Sequence, residues 1–118
     1  MGREVKITDE DIMKSIATGK GYCVFFYKAG PKRDLPKAEE EKLQMEHLRH
    51  LFKLKKQGKL LINGPITDDP ILKGVGIFNT VDKEEAKALL DEDPKVKNGW
   101  LIYEIHQWFG IPGDGLPI

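Results

Sequence analysis

The sequence holds one cysteine in 118 residues, so no disulfide can form within the chain, and a reducing cytoplasm is the expected setting. Cys23 sits among Tyr22, Val24 and Phe25 with no basic residue beside it. That reads as a packed thiol in a strand rather than a nucleophile. There is no surplus of either charge, since 19 basic side chains meet 19 acidic ones. A nucleic-acid surface normally needs a basic excess, so none is expected. No apolar run approaches the length of a membrane span, and the start of the sequence lacks a signal-peptide pattern. No phosphate loop, zinc-type cysteine set or serine-centred elbow is present, and Gly74-Val75-Gly76 lacks the third glycine of a dinucleotide motif. These absences leave a soluble intracellular domain with a single core.

What is present is a regular succession of elements. Thr8 and Asp11 have the spacing of a capping box that opens a short helix carrying Ile12, Met13 and Ile16. Gly19 and Gly21 release the chain into residues 22–27, aromatic and β-branched, read as a strand buried on both faces. Residues 29–36 (AGPKRDLP) form a loop. Residues 37–57 predict a long helix with Leu43, Leu48, Leu51, Phe52 and Leu54 in one apolar stripe, stopped by Gly58. Residues 59–66 and 74–80 read as the next two strands, the first bent or placed at an edge by Gly64-Pro65. Asp82 caps a second helix in which Glu85 can reach back to the cap, and Pro94 ends it near 91–93. Residues 100–109 are the last strand, and 110–118 form a Gly/Pro-rich arm.

Setting aside the helix in residues 1–20, the order is β-α-β-β-α-β. It predicts an α+β, ferredoxin-like fold over 21–109, with an antiparallel sheet and both helices on one face. Leu101, Tyr103 and Ile105 alternate onto one side of the last strand, and Ile102, Glu104, His106 and Trp108 onto the other. Apolar residues on both faces call for a cover on the face without helices. The economical cover is a second copy of the sheet, giving a homodimer with a barrel-like interior. The N-terminal helix or the C-terminal arm is the competing cover.

His47 is the titratable residue that stands out, because it falls between Leu43 and Leu51 within the apolar stripe. Imidazole there loses water and must find a partner, and a partnered imidazole can move protons near neutral pH. From the helix alone, a core histidine bonded to a backbone carbonyl is the favoured reading. His50, one turn on, could join His47 in a metal site with Asp68 and Asp69, a weaker candidate that leaves the expectation at no metal. Lys28, Lys32 and Arg33 could meet an anionic substrate, although such loop charges are more often solvated. Trp100 and Trp108 read as packing or dimer contacts.

Residues 45–65, with His47-Leu48, Leu51, Gly58, Leu60 and Gly64-Pro65, followed by Gly76, Ala86, Asp93-Pro94 and Gly99, resemble the YciI-like (YCII) family. The resemblance covers about 21–109. It implies a ferredoxin-like fold paired into a dimeric α/β barrel and a histidine-aspartate dyad proposed as the active site, which by motif would be His47 and Asp93. A related member is a dehydrochlorinase acting on a hydroxylated aromatic. On its own chemistry Asp93 would read as a helix-terminal aspartate preparing the turn before Pro94. With the resemblance, a carboxylate fixing one imidazole nitrogen and leaving the other to take or give a proton is the better reading.

The expected site is therefore His47 with Asp93, free of metal and cofactor, in a pocket lined by Leu43, Leu51, Phe25 or Phe26, and Tyr103. The expected activity is that of a lyase or isomerase, working by elimination or double-bond migration on a small cyclic or aromatic hydroxylated or carbonyl compound. The alternative is a non-catalytic small-molecule binding or regulatory protein using the same pocket. Expected partners are a second copy of the chain and a small-molecule ligand, with no nucleic acid and no membrane.

Overall fold

The computed structural model describes residues 4–118. The elements are α1 (Asp9–Ala17), β1 (Lys20–Ala29), α2 (Lys37–Lys56), β2 (Leu60–Pro65), β3 (Leu72–Phe78), α3 (Lys83–Asp91), α4 (Pro94–Asn98) and β4 (Leu101–Gly110). The strands form one antiparallel sheet in the order β2-β3-β1-β4. With the crossings through α2 and α3, that is the ferredoxin-like arrangement the sequence predicts. Among the described residues no helix is long and apolar enough to cross a membrane.

Local signals set most of the boundaries. The capping box at Thr8 is formed in both directions, with Asp11 N–H donating to Thr8 Oγ1 and Thr8 N–H to Asp11 Oδ2. Gly58, at φ 73°, takes the left-handed conformation that ends α2. Asp82 caps α3 by accepting from Glu84 N–H at 2.9 Å. Glu85 does not reach back to that cap, because its carboxylate accepts from the Thr80 hydroxyl at 2.9 Å. The short helix α4 is absent from the sequence reading. Pro94 occupies its first turn, Asp93 is its N-cap, and Gly99 closes it at φ 87°. Five residues are too few to carry a 3.6-residue apolar period.

The core lies between the sheet and α2, α3 and α4. Cys23, Phe25 and Tyr27 of β1 alternate onto this face and are buried with Phe78, Leu51, Leu54, Leu60, Leu89 and Leu90. Leu101 of β4 joins the same cluster. The α2 helix packs on β2 and α4, and α3 packs on β4 and α4. Phe52, placed in the apolar stripe by periodicity, is 61% exposed on the outer side of α2.

The opposite sheet face is a different surface. Val24, Phe26, Val75 and Ile77 are half-buried there, and Ile102 and Trp108 are exposed. So β1 is buried on its helix face and half-covered on the other, apart from Tyr22 against Trp108. The α1 helix buries none of its residues, and Ile12, Met13 and Ile16 are exposed. Within one chain, neither α1 nor residues 111–118 supply a cover for that face.

Candidate active site

Three elements converge on one carboxylate. Tyr27 comes from the central strand β1, His47 from the middle of α2, and Asp93 from the corner between α3 and α4. The corner is tightly bonded, with Asp93 N–H donating to Leu90 O and Asp93 O accepting from Val96 and Lys97 N–H. Asp93 Oδ1 accepts from Lys95 N–H at 2.9 Å as the helix cap. Asp93 Oδ2 accepts from Tyr27 Oη at 2.6 Å and lies 2.6 Å from His47 Nδ1. Asp93 therefore serves both as the turn-forming aspartate before Pro94 and as the partner of His47, using a different oxygen for each.

The whole cluster is out of water, with Asp93 at 0% and His47 at 8% exposure. Burial pushes the Asp93 carboxyl up. The hydrogen bond and charge of His47, the Tyr27 hydroxyl and the Lys95 N–H together outweigh burial, and the carboxyl ends below its ordinary value. An ionised carboxylate only accepts, so His47 Nδ1 carries the proton of this bond and Nε2 is the nitrogen left for a ligand. Burial, followed by the charge and hydrogen bond of Asp93, raises the Tyr27 hydroxyl well above its usual range. Tyr27 is thus a fixed donor and not a base. Its ring meets the His47 ring edge-on, with centroids 5.4 Å apart, and so also limits the imidazole's orientation.

A cavity of about 330 Å³ opens beside this cluster. His47, Tyr27, Phe25, Leu48 and Leu51 form its inner wall, and Asn63, Gly64 and Pro65 of β2 close one side. Arg33, Gln44, Lys73, Lys95 and Trp100 also line it. Of the expected lining residues, Phe25 and Leu51 are there, whereas Leu43, Phe26 and Tyr103 are elsewhere. Phe26 follows Phe25 in a strand, so its side chain falls on the other sheet face, where its ring is 6.4 Å from that of His106. Tyr103 donates to Asp91 Oδ1 at 2.6 Å, and Leu43 packs against the core cluster.

One lining residue was open to a sequence reading and was missed. Tyr27 shares the face of Phe25 by simple alternation. Arg33, one of the three charges expected either to meet an anionic substrate or to be solvated, lines the cavity with its guanidinium 4.7 Å over the Trp100 ring. Asn63 could not be placed in advance. A bulge between Leu60 and Ile62 shifts the β2 register, so that Leu60 pairs with Phe78 but Asn63 pairs with Gly76. The extra residue turns Asn63 and Pro65 onto the helix side.

His50 is the histidine that meets the ordinary structural role, donating Nε2–H to Leu89 O at 2.9 Å. That bond takes it away from any pairing with His47. Among the described residues, no group of three histidine, cysteine, aspartate or glutamate side chains is gathered that could hold a metal. Cys23 is fully buried, and burial raises its thiol above the usual value.

The family described as YCII-related domain matches residues 22–109. No curated protein matches the chain. Among solved structures, a 5-chloro-2-hydroxyhydroquinone dehydrochlorinase from Burkholderia phenoliruptrix AC1100, in complex with 2,5-dihydroxybenzoquinone, is similar at 20% identity and a TM-score of 0.47. The match covers 72% of this chain and 92% of that one.

Proposed function

The chain belongs to the YCII-related domain family, and we propose that its cavity is an acid–base site in which His47 moves a proton on a small molecule. The observation that carries this reading is the buried Tyr27–Asp93–His47 cluster opening on the cavity. Asp93 fixes the tautomer and holds charge opposite the imidazole. Nε2 takes a proton from a carbon or hydroxyl of the ligand. The electron pair left behind then expels a leaving group, or the proton returns at another position and a double bond has migrated. The imidazolium formed in either case lies against the Asp93 carboxylate, which stabilises it. The reading is therefore a lyase or isomerase acting on a cyclic or aromatic hydroxylated or carbonyl compound.

The second reading, a non-catalytic binding or regulatory protein, is favoured by one observation. Asp93 also caps α4 and takes the Tyr27 hydroxyl, so the cluster contributes to folding whether or not a proton moves. One experiment separates the two. A panel of cyclic hydroxyketones and hydroxylated aromatics is incubated with the protein in deuterated water, and exchange or elimination is followed by NMR. The enzyme reading expects turnover that falls by about 10²- to 10⁴-fold in His47→Asn, with ligand affinity changed far less. Turnover that survives the substitution rejects His47 as the base. Binding without exchange by the unaltered protein selects the second reading.

The assembly proposed with this function is a homodimer formed through the open sheet face. Val24, Phe26, Val75, Ile77, Ile102 and Trp108 make that face too apolar to be left in water. Sedimentation velocity should show a dimer for the unaltered chain and a monomer for Trp108→Glu. A monomeric unaltered chain at micromolar concentration sinks the proposal.

A further inference from the structure

Acidic and basic side chains balance over the whole chain, 19 against 19, but they do not balance around the cavity. Arg33, Lys73 and Lys95 line it against Glu40, while the charge of Asp93 behind the wall is already engaged by His47, Tyr27 and the Lys95 N–H. Among the described residues none of the three cations has a carboxylate partner within 4.0 Å. Neutral groups hold two of them instead. Trp100 lies under the Arg33 guanidinium, and the Lys95 ammonium donates to Gln44 Oε1. Lys95 is half-buried, and loss of water is the largest influence on it. Together with Arg33 this outweighs the opposing pull of Asp93 and Glu40, and its pKa falls below the ordinary lysine value. A cation placed at this cost beside a cavity gains most from an anion inside it.

The β2 side of the cavity supplies the complement. Asn63 lines it, and its Oδ1 is buried without a hydrogen-bond partner among the described residues. A buried acceptor of this kind normally has a donor. The sheet order puts β2 at one edge and β4 at the other. Trp100, which carries Arg33, leads directly into β4, so Arg33 and Lys95 stand across the Tyr27–His47 wall from Asn63, whereas Lys73, on β3 next to β2, is on the Asn63 side.

We infer that the cavity takes an anionic hydroxy compound, a small carboxylate whose acid group sits with Arg33 and Lys95 and whose hydroxyl lies on the side lined by Asn63. The inference deepens the acid–base reading by naming a substrate class, and depends on that reading only for the contact with His47. Arg33 and Lys95 then determine specificity, and the ligand's reacting centre is held between them and Asn63, against the imidazole.

The test uses probes matched in shape, in which a charged acid is replaced by its neutral amide, 4-hydroxybenzoate with 4-hydroxybenzamide and 4-hydroxyphenylacetate with its amide. Calorimetry on the unaltered protein should show each acid binding about ten-fold or more tightly than its amide, a preference that shrinks as salt is added. In the Arg33→Gln/Lys95→Gln protein the preference should fall to within about two-fold, the acid losing more affinity than the amide. Equal affinities, or no binding of either acid by the unaltered protein, overturn the inference. So does a preference that survives the double substitution. Should the double variant fail to fold, the acid–amide comparison and its salt dependence in the unaltered protein decide the matter. The two proposals fail separately. A carboxylate preference without any proton exchange leaves this inference standing and removes the acid–base reading, whereas exchange on neutral compounds with no carboxylate preference does the reverse.

Discussion

Two aspartates stand two residues apart at the end of α3, with the same partners in kind and opposite surroundings. Asp91 accepts from the Tyr103 hydroxyl at 2.6 Å and from Lys87 Nζ at 2.7 Å, and its side chain is 44% exposed. Asp93 accepts from the Tyr27 hydroxyl at 2.6 Å and from His47 at 2.6 Å, and it is fully buried. Even the tyrosines correspond, because Tyr27 and Tyr103 face each other across the β1–β4 ladder. What differs is depth. Tyr27 is on a central strand under α2, and Tyr103 is on an edge strand. Water screens the outer pair and is excluded from the inner one, so equal distances carry unequal energies.

The largest effect should come from removing each charge in turn. Asp93→Asn leaves His47 and Tyr27 with one poor acceptor between them in a dry site, and a loss of about 3 kcal/mol or more is expected. Asp91→Asn should cost within about 1 kcal/mol, as for other exposed pairs. Urea unfolding midpoints at constant slope measure both. Similar losses at the two positions would mean that depth does not govern this corner.

A smaller contrast is expected from the hydroxyls. Tyr27→Phe takes one of the donors from a buried carboxylate, and hydrogen bonds to charged groups are worth about 1.5–3 kcal/mol. Tyr103→Phe frees an oxygen that water can reach, so about 0.5 kcal/mol is expected. The Tyr27 substitution should also lower turnover without changing the identity of the base, because it loosens Asp93 and the imidazole together. If Tyr27→Phe were as mild as Tyr103→Phe in both stability and turnover, Tyr27 would have no positioning role.

The contrast between these aspartates also marks how far the sequence could be read. Patterns of period two and 3.6 are long enough in β1, α2 and α3 to give the order of elements, and Thr8, Gly58 and Asp82 announce their own caps. His47 is legible because a titratable group interrupts an apolar stripe, whereas Asp93 needed the family resemblance. Pro94 marks Asp93 as a turn residue but says nothing of its burial, which is decided by what packs above the corner. The rest was lost for definite reasons. The α4 helix, at five residues, is too short to repeat an apolar period, a bulge reverses the parity of Asn63, and Phe52 belongs to the stripe in spacing but to the surface in packing. Glu85 had two acceptable donors, and the Thr80 hydroxyl is the one it met.

The smallest effect expected is in acid, and its sign is the informative part. Both carboxyls lie below the ordinary 3.8, Asp93 through His47, Tyr27 and Lys95 N–H against burial, and Asp91 through Lys87 and Tyr103. A carboxyl lowered on folding stabilises fully above its unfolded value and loses that contribution as pH falls through its folded value. The stability difference between the unaltered protein and Asp93→Asn should therefore be level above about pH 5 and shrink as pH falls below about 4. For Asp91→Asn the difference should stay near zero throughout, because solvent screens that site. Chemical denaturation across the acid range measures both curves. A difference at Asp93 that instead shrank as pH rose would mean a carboxyl protonated at neutral pH. The proton between Asp93 and His47 would then sit on oxygen, Nδ1 would be its acceptor, and the imidazole would have lost the anchor that makes Nε2 a base.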